Sequence, residues 1–376
     1  MQKLIRLTTA DISLNTLLKG QLRYLSQYFE VVGVASDTGV LEQVGEREGI
    51  RTINVPMHRE ISLFADVRSL FALIKLFRRE SPDIVHANTP KASLLGMLAA
   101  WLCRVPNRIY TVTGLRFETT SGFMRFVLKT MERITCFCAT KVIPEGNGVK
   151  ATLLKERITR KPMQKIHNGN INGIDLDWYN QSVEVMQCAE QIKGDSNDFT
   201  FVFVGRIVRD KGICELVEAF TRLSAEYAAV QLMIVGNFED KLDPLPIHTR
   251  EILDSCSNII LVGYQNDVRP YLAASDVLVL PSYREGFPNV ILQAGAMGLP
   301  VIVSDVNGSD EVIDQGVNGI IVPKYDIESL YYAMASLVND YERTKQMSEV
   351  ARKMIADRFD QRDVWAATVE MYNSLS

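Results

Sequence analysis

Two cations and a carboxylate stand where short apolar runs end. Thr200–Gly205 reads as a strand, Arg206 follows it directly, and Lys211 lies near the start of a helix that runs through about Tyr227. Cations at a strand's carboxyl end and a helix start can clamp a diphosphate. A solvated basic loop explains this segment alone equally well. The segment Pro281–Pro300 shifts the balance. Pro288 suits a first helical position, and Gly298 with Pro300 suits an end, which predicts a helix over about Pro288–Met297. Its first amides, near Asn289 and Val290, can receive a phosphate with help from the helix dipole. Glu285, in the turn before the helix, can accept hydrogen bonds from sugar hydroxyls. Gln293 can both donate and accept, which suits a diol such as ribose. A buried apolar helix explains Val290-Ile291-Leu292 but not Glu285-Gly286-Phe287-Pro288.

The elements that must hold these residues recur along the whole chain. Strands are expected at Lys3–Thr8, Phe29–Ala35, Arg51–Val55, Asp83–Asn88, Arg108–Thr113 and Lys141–Pro144. In the second half they are expected at Thr200–Gly205, Gln231–Gly236, Asn258–Gly263, Asp276–Pro281, Pro300–Ser304 and Gly319–Val322. Helical patterns alternate with them, so the class is α/β with parallel sheets covered on both faces. The polar stretch Asp177–Asp198 interrupts the alternation and is read as a junction. It divides the chain into two domains, 1–176 and 177–376. Each would be a Rossmann-like, doubly wound sheet. Ligands of such sheets bind beyond the strands' carboxyl ends, which places the expected site in a cleft between two facing domains.

Composition narrows the classes. The chain has 376 residues, 47% hydrophobic and 23% charged, which excludes a disordered chain, a collagen and a coiled coil. No apolar run reaches the length of a membrane helix. The N-terminus lacks a secretory pattern, so a cytoplasmic protein is expected. Through residue 180 there are 25 Lys and Arg against 16 Asp and Glu; the remainder carries 16 against 29. A basic first half points to an anionic partner. The loop after the first strand, Thr8–Ser13, has no Gly-x-Gly-x-x-Gly, and no P-loop is present, so dinucleotide and P-loop enzymes are disfavoured. Six cysteines form no Cys-x-x-Cys pair, and buried free thiols are expected rather than zinc or disulfides.

Segments 200–220 and 260–323 resemble the donor domain of retaining, nucleotide-sugar-dependent glycosyltransferases of the GT-B fold, glycosyltransferase family four. The family's Gly-Arg-(4 residues)-Lys-Gly is matched by Gly205, Arg206, Lys211 and Gly212, and its Glu-(7 residues)-Glu by Glu285 and, changed, by Gln293. Asp83–Gly96, Arg108–Phe117 and Lys165–Asp175 resemble the bacterial capsular and O-antigen polysaccharide branch of the same group. The resemblance covers almost the whole chain. It implies catalytic roles for Arg206, Lys211 and Glu285, and donor contacts at Gly205, Gly263, Tyr264, Gly286, Phe287, Pro288, Asn289, Val290 and Gln293. Acceptor-side or sugar-proximal positions are implied at Thr9, Ala10, Asp11, His86, Thr113, Arg116 and Asn168. Thr113 stands where many members have His. The resemblance further implies a UDP-sugar co-substrate, no cofactor and no metal, a hexose or N-acetylhexosamine transferred to a glycan on polyprenyl diphosphate, and a last helix, about 360–375, packing back on the N-terminal domain.

Other readings remain beside this one. Thr113 and Gln293 could mark a non-catalytic nucleotide-sugar-binding partner of a synthase; an epimerase of the same fold is a third reading. His86, at a strand's end, is equally a site or a structural histidine; His58 and His248 read as surface residues. Asp175-Leu176-Asp177 reads as a helix cap rather than a metal-binding Asp-x-Asp. In Ala65–Glu80, the apolar Val67, Leu70, Phe71, Ile74 and Phe77 share one helical face, flanked by Arg68, Lys75, Arg78 and Arg79; Gly122–Arg133 is similarly basic and apolar. Such helices either lie on anionic membranes or bury the apolar face as core. Peripheral contact with the inner face of the cell membrane is therefore one expected partner, and nucleic acid is not.

Overall fold

A computed structural model describes residues 1–58, 60, 62–240 and 243–375. Contacts divide the chain into two units, Met1–Gly173 with Gln361–Ser376, and Ile174–Asp360. Each holds a six-stranded sheet whose pairings are all parallel. The strands are β1 Lys3–Ala10, β2 Glu30–Ser36, β3 Arg51–Asn54, β4 Ile84–Ala87, β5 Asn107–Val112 and β6 Lys141–Pro144, then β7 Phe199–Val204, β8 Val230–Val235, β9 Ile259–Gly263, β10 Val277–Leu280, β11 Val301–Ser304 and β12 Gly319–Val322. All the strands expected from sequence form, with ends shifted by at most two residues.

The strand orders are β3-β2-β1-β4-β5-β6 and β12-β11-β10-β7-β8-β9. In each sheet the chain winds one way from its first strand and then crosses to that strand's other side. The reversal falls between β1 and β4 in the first unit and between β7 and β10 in the second. At such a switch point the connections leave in opposite directions, so the strand ends lie open to a ligand.

Alternation along the first sheet builds two apolar layers. Ile5, Leu7, Val32, Val34, Val85 and Val112 join one cluster; Leu4, Val31, Ala35, Ile84, Ile109 and Ile143 join the other. Successive side chains of a strand point to opposite faces, so the two clusters cover opposite sides. The second cluster includes Val369 and Tyr372 of the last helix, Gln361–Asn373. The second unit has one large core around Phe201, Phe203, Leu278 and Ile302.

Two expectations change. The first unit's N-terminal segment ends at Gly173, so the polar stretch Asp177–Asp198, read as the junction, lies past the boundary between the units. It contains the helix Val183–Lys193, capped by Ser182 Oγ, and belongs to the second unit. Only Val185 and Ala189 are buried in it, so its apolar stripe is too thin to show in composition. Of the cysteines only Cys136 and Cys138 are buried, and Cys188 is exposed; all six are free. No helix among the described residues is long and apolar enough to cross a membrane.

The last helix is held by an unusual polar cluster. Arg6, in β1, is fully buried. Its guanidinium donates to Tyr372 Oη at 2.7 Å and to Asn88 Oδ1 at 3.2 Å, and lies 3.0 Å from His86 Nδ1. His86 is also 2.5 Å from Tyr372 Oη and, through Nε2, 2.7 Å from Thr111 Oγ1. Burial, with the Arg6 charge beside it, holds the imidazole neutral well below the ordinary histidine range. An unfolded chain takes up a proton on His86 near pH 6.5, while the folded chain does not. Below that pH the unfolded state binds more protons, so stability is complete above about pH 6.5 and falls by up to about 1.4 kcal/mol per unit beneath it. His86→Gln should flatten this part of the slope in urea unfolding between about pH 6.5 and 5. An unchanged slope would contradict the neutral, buried assignment.

Candidate functional site

The reversal between β7 and β10 brings together the loops that carry Lys211 and Glu285. After β7, Gly205 and Arg206 lead into a 3-10 turn, Arg209–Lys211, and Gly212 caps the helix Ile213–Glu226. After β10, Pro281–Pro288 leads into the helix Asn289–Ala296. Lys211 Nζ donates to Glu285 Oε1, and both side chains are largely shielded from solvent. The two loops are further tied together. Tyr283 N donates to Asp210 O at 2.9 Å, and Arg284 donates to Asp210 Oδ2 at 2.9 Å. Tyr283 Oη donates to the Glu215 carboxylate at 2.6 Å, and burial with that carboxylate holds the phenol protonated.

Two glycines set how closely the loops approach. Gly212 has φ +71°, and a Cβ there would sit 2.0 Å from Pro281 O. Gly308, at φ +82°, would place a Cβ 2.6 Å from Gly286 O. The segment carrying Glu285 is thus pressed from both sides by backbone that admits no side chain.

Arg206 does not join the Lys211–Glu285 pair. It is exposed and pairs with Glu239 Oε2 at 2.8 Å, on the loop after β8. Glu239 was not singled out in the sequence. Its position three residues beyond Gly236, at the end of another central strand, is the signal that marks it. The helix begins one residue later than expected: Pro288 is its N-cap, with an extended backbone. Val290 then lies in the first turn, where the intrahelical pattern leaves an amide without a helical acceptor. Asn289 is half-buried beside it, and the Gln293 amide has no protein partner among the described residues. Gly286, Phe287 and Pro288 are buried. The Phe287 ring packs edge-on against Phe359 at 5.5 Å, so its side chain is core and only its backbone can meet a ligand. Gly263, at φ +77°, turns the chain after β9 and leaves Tyr264 exposed.

In the first unit most of the named side chains are committed to the frame. Thr9 N donates to Thr89 Oγ1 at 2.8 Å, and Ala92 N donates to Thr9 Oγ1 at 3.2 Å. Ala10 is the N-cap of a short helix. Asp11 is buried and accepts from Ile12 N, Thr38 N, Thr38 Oγ1 and Val40 N. Burial works to raise its pKa, but these hydrogen bonds outweigh it and hold the carboxyl low. His86 lies inside the cluster described above, with both ring nitrogens within hydrogen-bond distance of protein partners. Thr113 Oγ1 donates to Asn88 O at 2.9 Å, tying the ends of β4 and β5. Asn168 is half-buried, in a loop where His167 and Asn170 have positive φ. Arg116 is exposed. Asp175 Oδ1 accepts from the amides of Asp177 and Trp178 and closes a turn. No cluster of His, Cys, Asp or Glu suited to a metal is found among the described residues.

Residues 198–340 match the family model described as glycosyl transferases group 1, and residues 23–169 match that of the glycosyl transferase 4-like domain. A capsular polysaccharide biosynthesis glycosyltransferase of Staphylococcus aureus, CapM, is 33% identical over 380 residues, covering 99% of this chain and 97% of that protein. The chain belongs to this glycosyltransferase family. An Escherichia coli UDP-Gal:alpha-D-GlcNAc-diphosphoundecaprenol alpha-1,3-galactosyltransferase is 32% identical, covering 94% of each chain. The fold of this glycosyltransferase is GT-B. It matches Anabaena Alr3699/HepE, solved in complex with UDP-glucose, over the whole of both chains, with a TM-score of 0.83 at 20% identity.

The glycine constraint is testable in the glycosyltransferase. Gly212→Ala should lower stability by about 2 kcal/mol or more, because backbone, not a flexible side chain, must give way. Denaturant unfolding measures it, and a midpoint equal to wild type would contradict the close approach.

Proposed function

We propose that the chain transfers a hexose or an N-acetylhexosamine from a UDP-sugar to a hydroxyl of a glycan carried on polyprenyl diphosphate, in surface polysaccharide synthesis. Transfer retains the anomeric configuration and uses no metal. The observation that carries the reading is the meeting of Lys211 and Glu285 at the β7–β10 switch point. The names of the Staphylococcus aureus and Escherichia coli relatives support the pathway class, the UDP-linked donor and the lipid-linked acceptor.

In this mechanism the donor's diphosphate takes Lys211 from Glu285 and Arg206 from Glu239. The released Glu285 carboxylate accepts hydrogen bonds from hydroxyls of the transferred sugar. As the bond from the anomeric carbon to the phosphate oxygen breaks, its electron pair leaves with UDP. Lys211, Arg206 and the helix start near Val290 stabilise that charge, which replaces the work a divalent cation does elsewhere. The acceptor hydroxyl attacks from the side the diphosphate leaves, and its proton passes to the departing phosphate oxygen. Gln293 holds the ribose, and Tyr264 lies beside the base.

Lys211→Ala removes the cation that meets the additional charge developing on the departing diphosphate as the bond breaks. Release of UDP from UDP-sugars should fall about a hundredfold or more, with an unchanged far-ultraviolet dichroism spectrum. Near-wild-type turnover would overturn the assignment.

The same reading places the chain on the cytoplasmic face of the membrane. In the helix Leu63–Glu80, Leu73, Leu76 and Phe77 are buried, but Phe64, Val67 and Phe71 are exposed, Phe64 by 94%. In the helix Gly122–Cys138, Phe123, Met124 and Phe126 are exposed. Aromatic groups flanked by Arg68, Lys75 and Arg78 suit an anionic lipid surface. Flotation with vesicles containing phosphatidylglycerol should recover the chain, and Phe64→Ser with Phe123→Ser should lower the recovery. Equal recovery of the variant would remove this surface from the account.

A further inference from the structure

The first unit holds a pocket that the donor chemistry does not use. It lies among the helix Pro90–Leu102, the 3-10 turn Arg116–Thr119 and the helix Gly122–Cys138. Leu94, Phe117, Leu128 and Met131 give it apolar walls, and its cavity volume is about 50 Å³. A water needs roughly 10–15 Å³ by this measure, so the space suits a branched aliphatic segment.

Its polar groups are arranged unevenly. Glu132 lines the pocket and accepts from Tyr110 Oη at 2.8 Å. Burial raises its pKa to about 7, against the opposing effect of the Tyr110 hydrogen bond, so the group is only about half ionised near neutral pH. Lys91 is already bound to both Asp66 oxygens at 2.6 Å and to Glu60 O at 2.7 Å. Arg116 differs. It is exposed, lines the same pocket, and its side chain has no protein partner among the described residues. Arg125, over the Phe117 ring at 5.7 Å, is already paired with Glu156 at 2.9 Å.

The walls continue outward along one helix. Met124, Leu128, Met131 and Thr135 recur at the i, i+4, i+7 and i+11 spacing that places them on one face. Met124 is half-exposed and Thr135 is buried, so the track runs from surface to interior.

We propose that this pocket receives the isoprenoid chain of the lipid-linked acceptor next to its diphosphate, with Arg116 binding the diphosphate at the mouth. The proposal rests on the lipid-linked acceptor in the function proposed above. It adds which surface reads the lipid: a cation without a partner at an apolar pocket is complementary to an anionic head on a branched hydrocarbon, and to neither part alone.

Farnesyl diphosphate is the probe, titrated calorimetrically into the full chain with saturating UDP present to block the donor side. Wild type should bind it at least tenfold more tightly than inorganic diphosphate. Arg116→Ala, at an exposed position, and Leu128→Trp, which fills the pocket, should each weaken farnesyl diphosphate binding at least tenfold while leaving UDP affinity unchanged. Equal binding of farnesyl diphosphate by both variants, or inorganic diphosphate binding as tightly, would overturn the proposal. The transferase reading fails separately, through an absence of UDP release from UDP-sugars by wild type, so the two failures are distinguishable.

Discussion

The Lys211–Glu285 pair joins the two strand ends between which the second sheet reverses its winding. Its position is imposed from below. β7 and β10 are adjacent because the chain crosses over between them, and their loops are locked by the Asp210 contacts to Tyr283 and Arg284. Gly212 and Gly308 permit backbone approaches that any other residue would block. Preorganisation of this kind is what electrostatic catalysis requires, since groups already in place need not reorganise when charge appears. A shielded ammonium paired with a carboxylate also carries no net charge. In the proposed function, a diphosphate that displaces the carboxylate exchanges one ion pair for another, and frees an acceptor for sugar hydroxyls at the same moment.

The first unit solves a different problem. Arg6 is a buried cation, and no carboxylate is among its hydrogen-bond partners. Such a group is costly unless every partner is in place. Tyr372, His86 and Asn88 supply partners for its two Nη atoms, while its Nε has none among the described residues; Tyr372 comes from the last helix, which thereby becomes part of the first unit although its sequence follows the second. This helix covers one face of the sheet, and the helices carrying Phe64 and Phe123 are distinct from it.

The strands were legible because each is buried on both faces and so appears as a short, nearly unbroken apolar run; β12 matches its expected bounds, Gly319–Val322. The meeting of Lys211 and Glu285 follows from the adjacency of β7 and β10, whose loops carry them. What was not legible depends on partners remote in sequence. His86 stands at a strand end like a site residue, but Tyr372, 286 positions away, takes its ring nitrogen. Phe287 sits in a Gly- and Pro-rich turn that reads as open, and Phe359 buries it. Asp11 follows a strand as a ligand-binding acid would, yet the amides of Thr38 and Val40 occupy it. The helix Val183–Lys193 escaped notice because two buried side chains suffice to dock it.

Nucleotide recognition by the second unit is the claim on which the rest turns. The direct test is the thermal unfolding midpoint of the full chain in chelator, with UDP, GDP and ADP each compared against buffer. A ligand that binds only the folded state raises the midpoint. The account predicts a rise with UDP that persists in chelator, and a smaller rise or none with GDP and ADP. A folded sample whose midpoint moves with none of the three would contradict it.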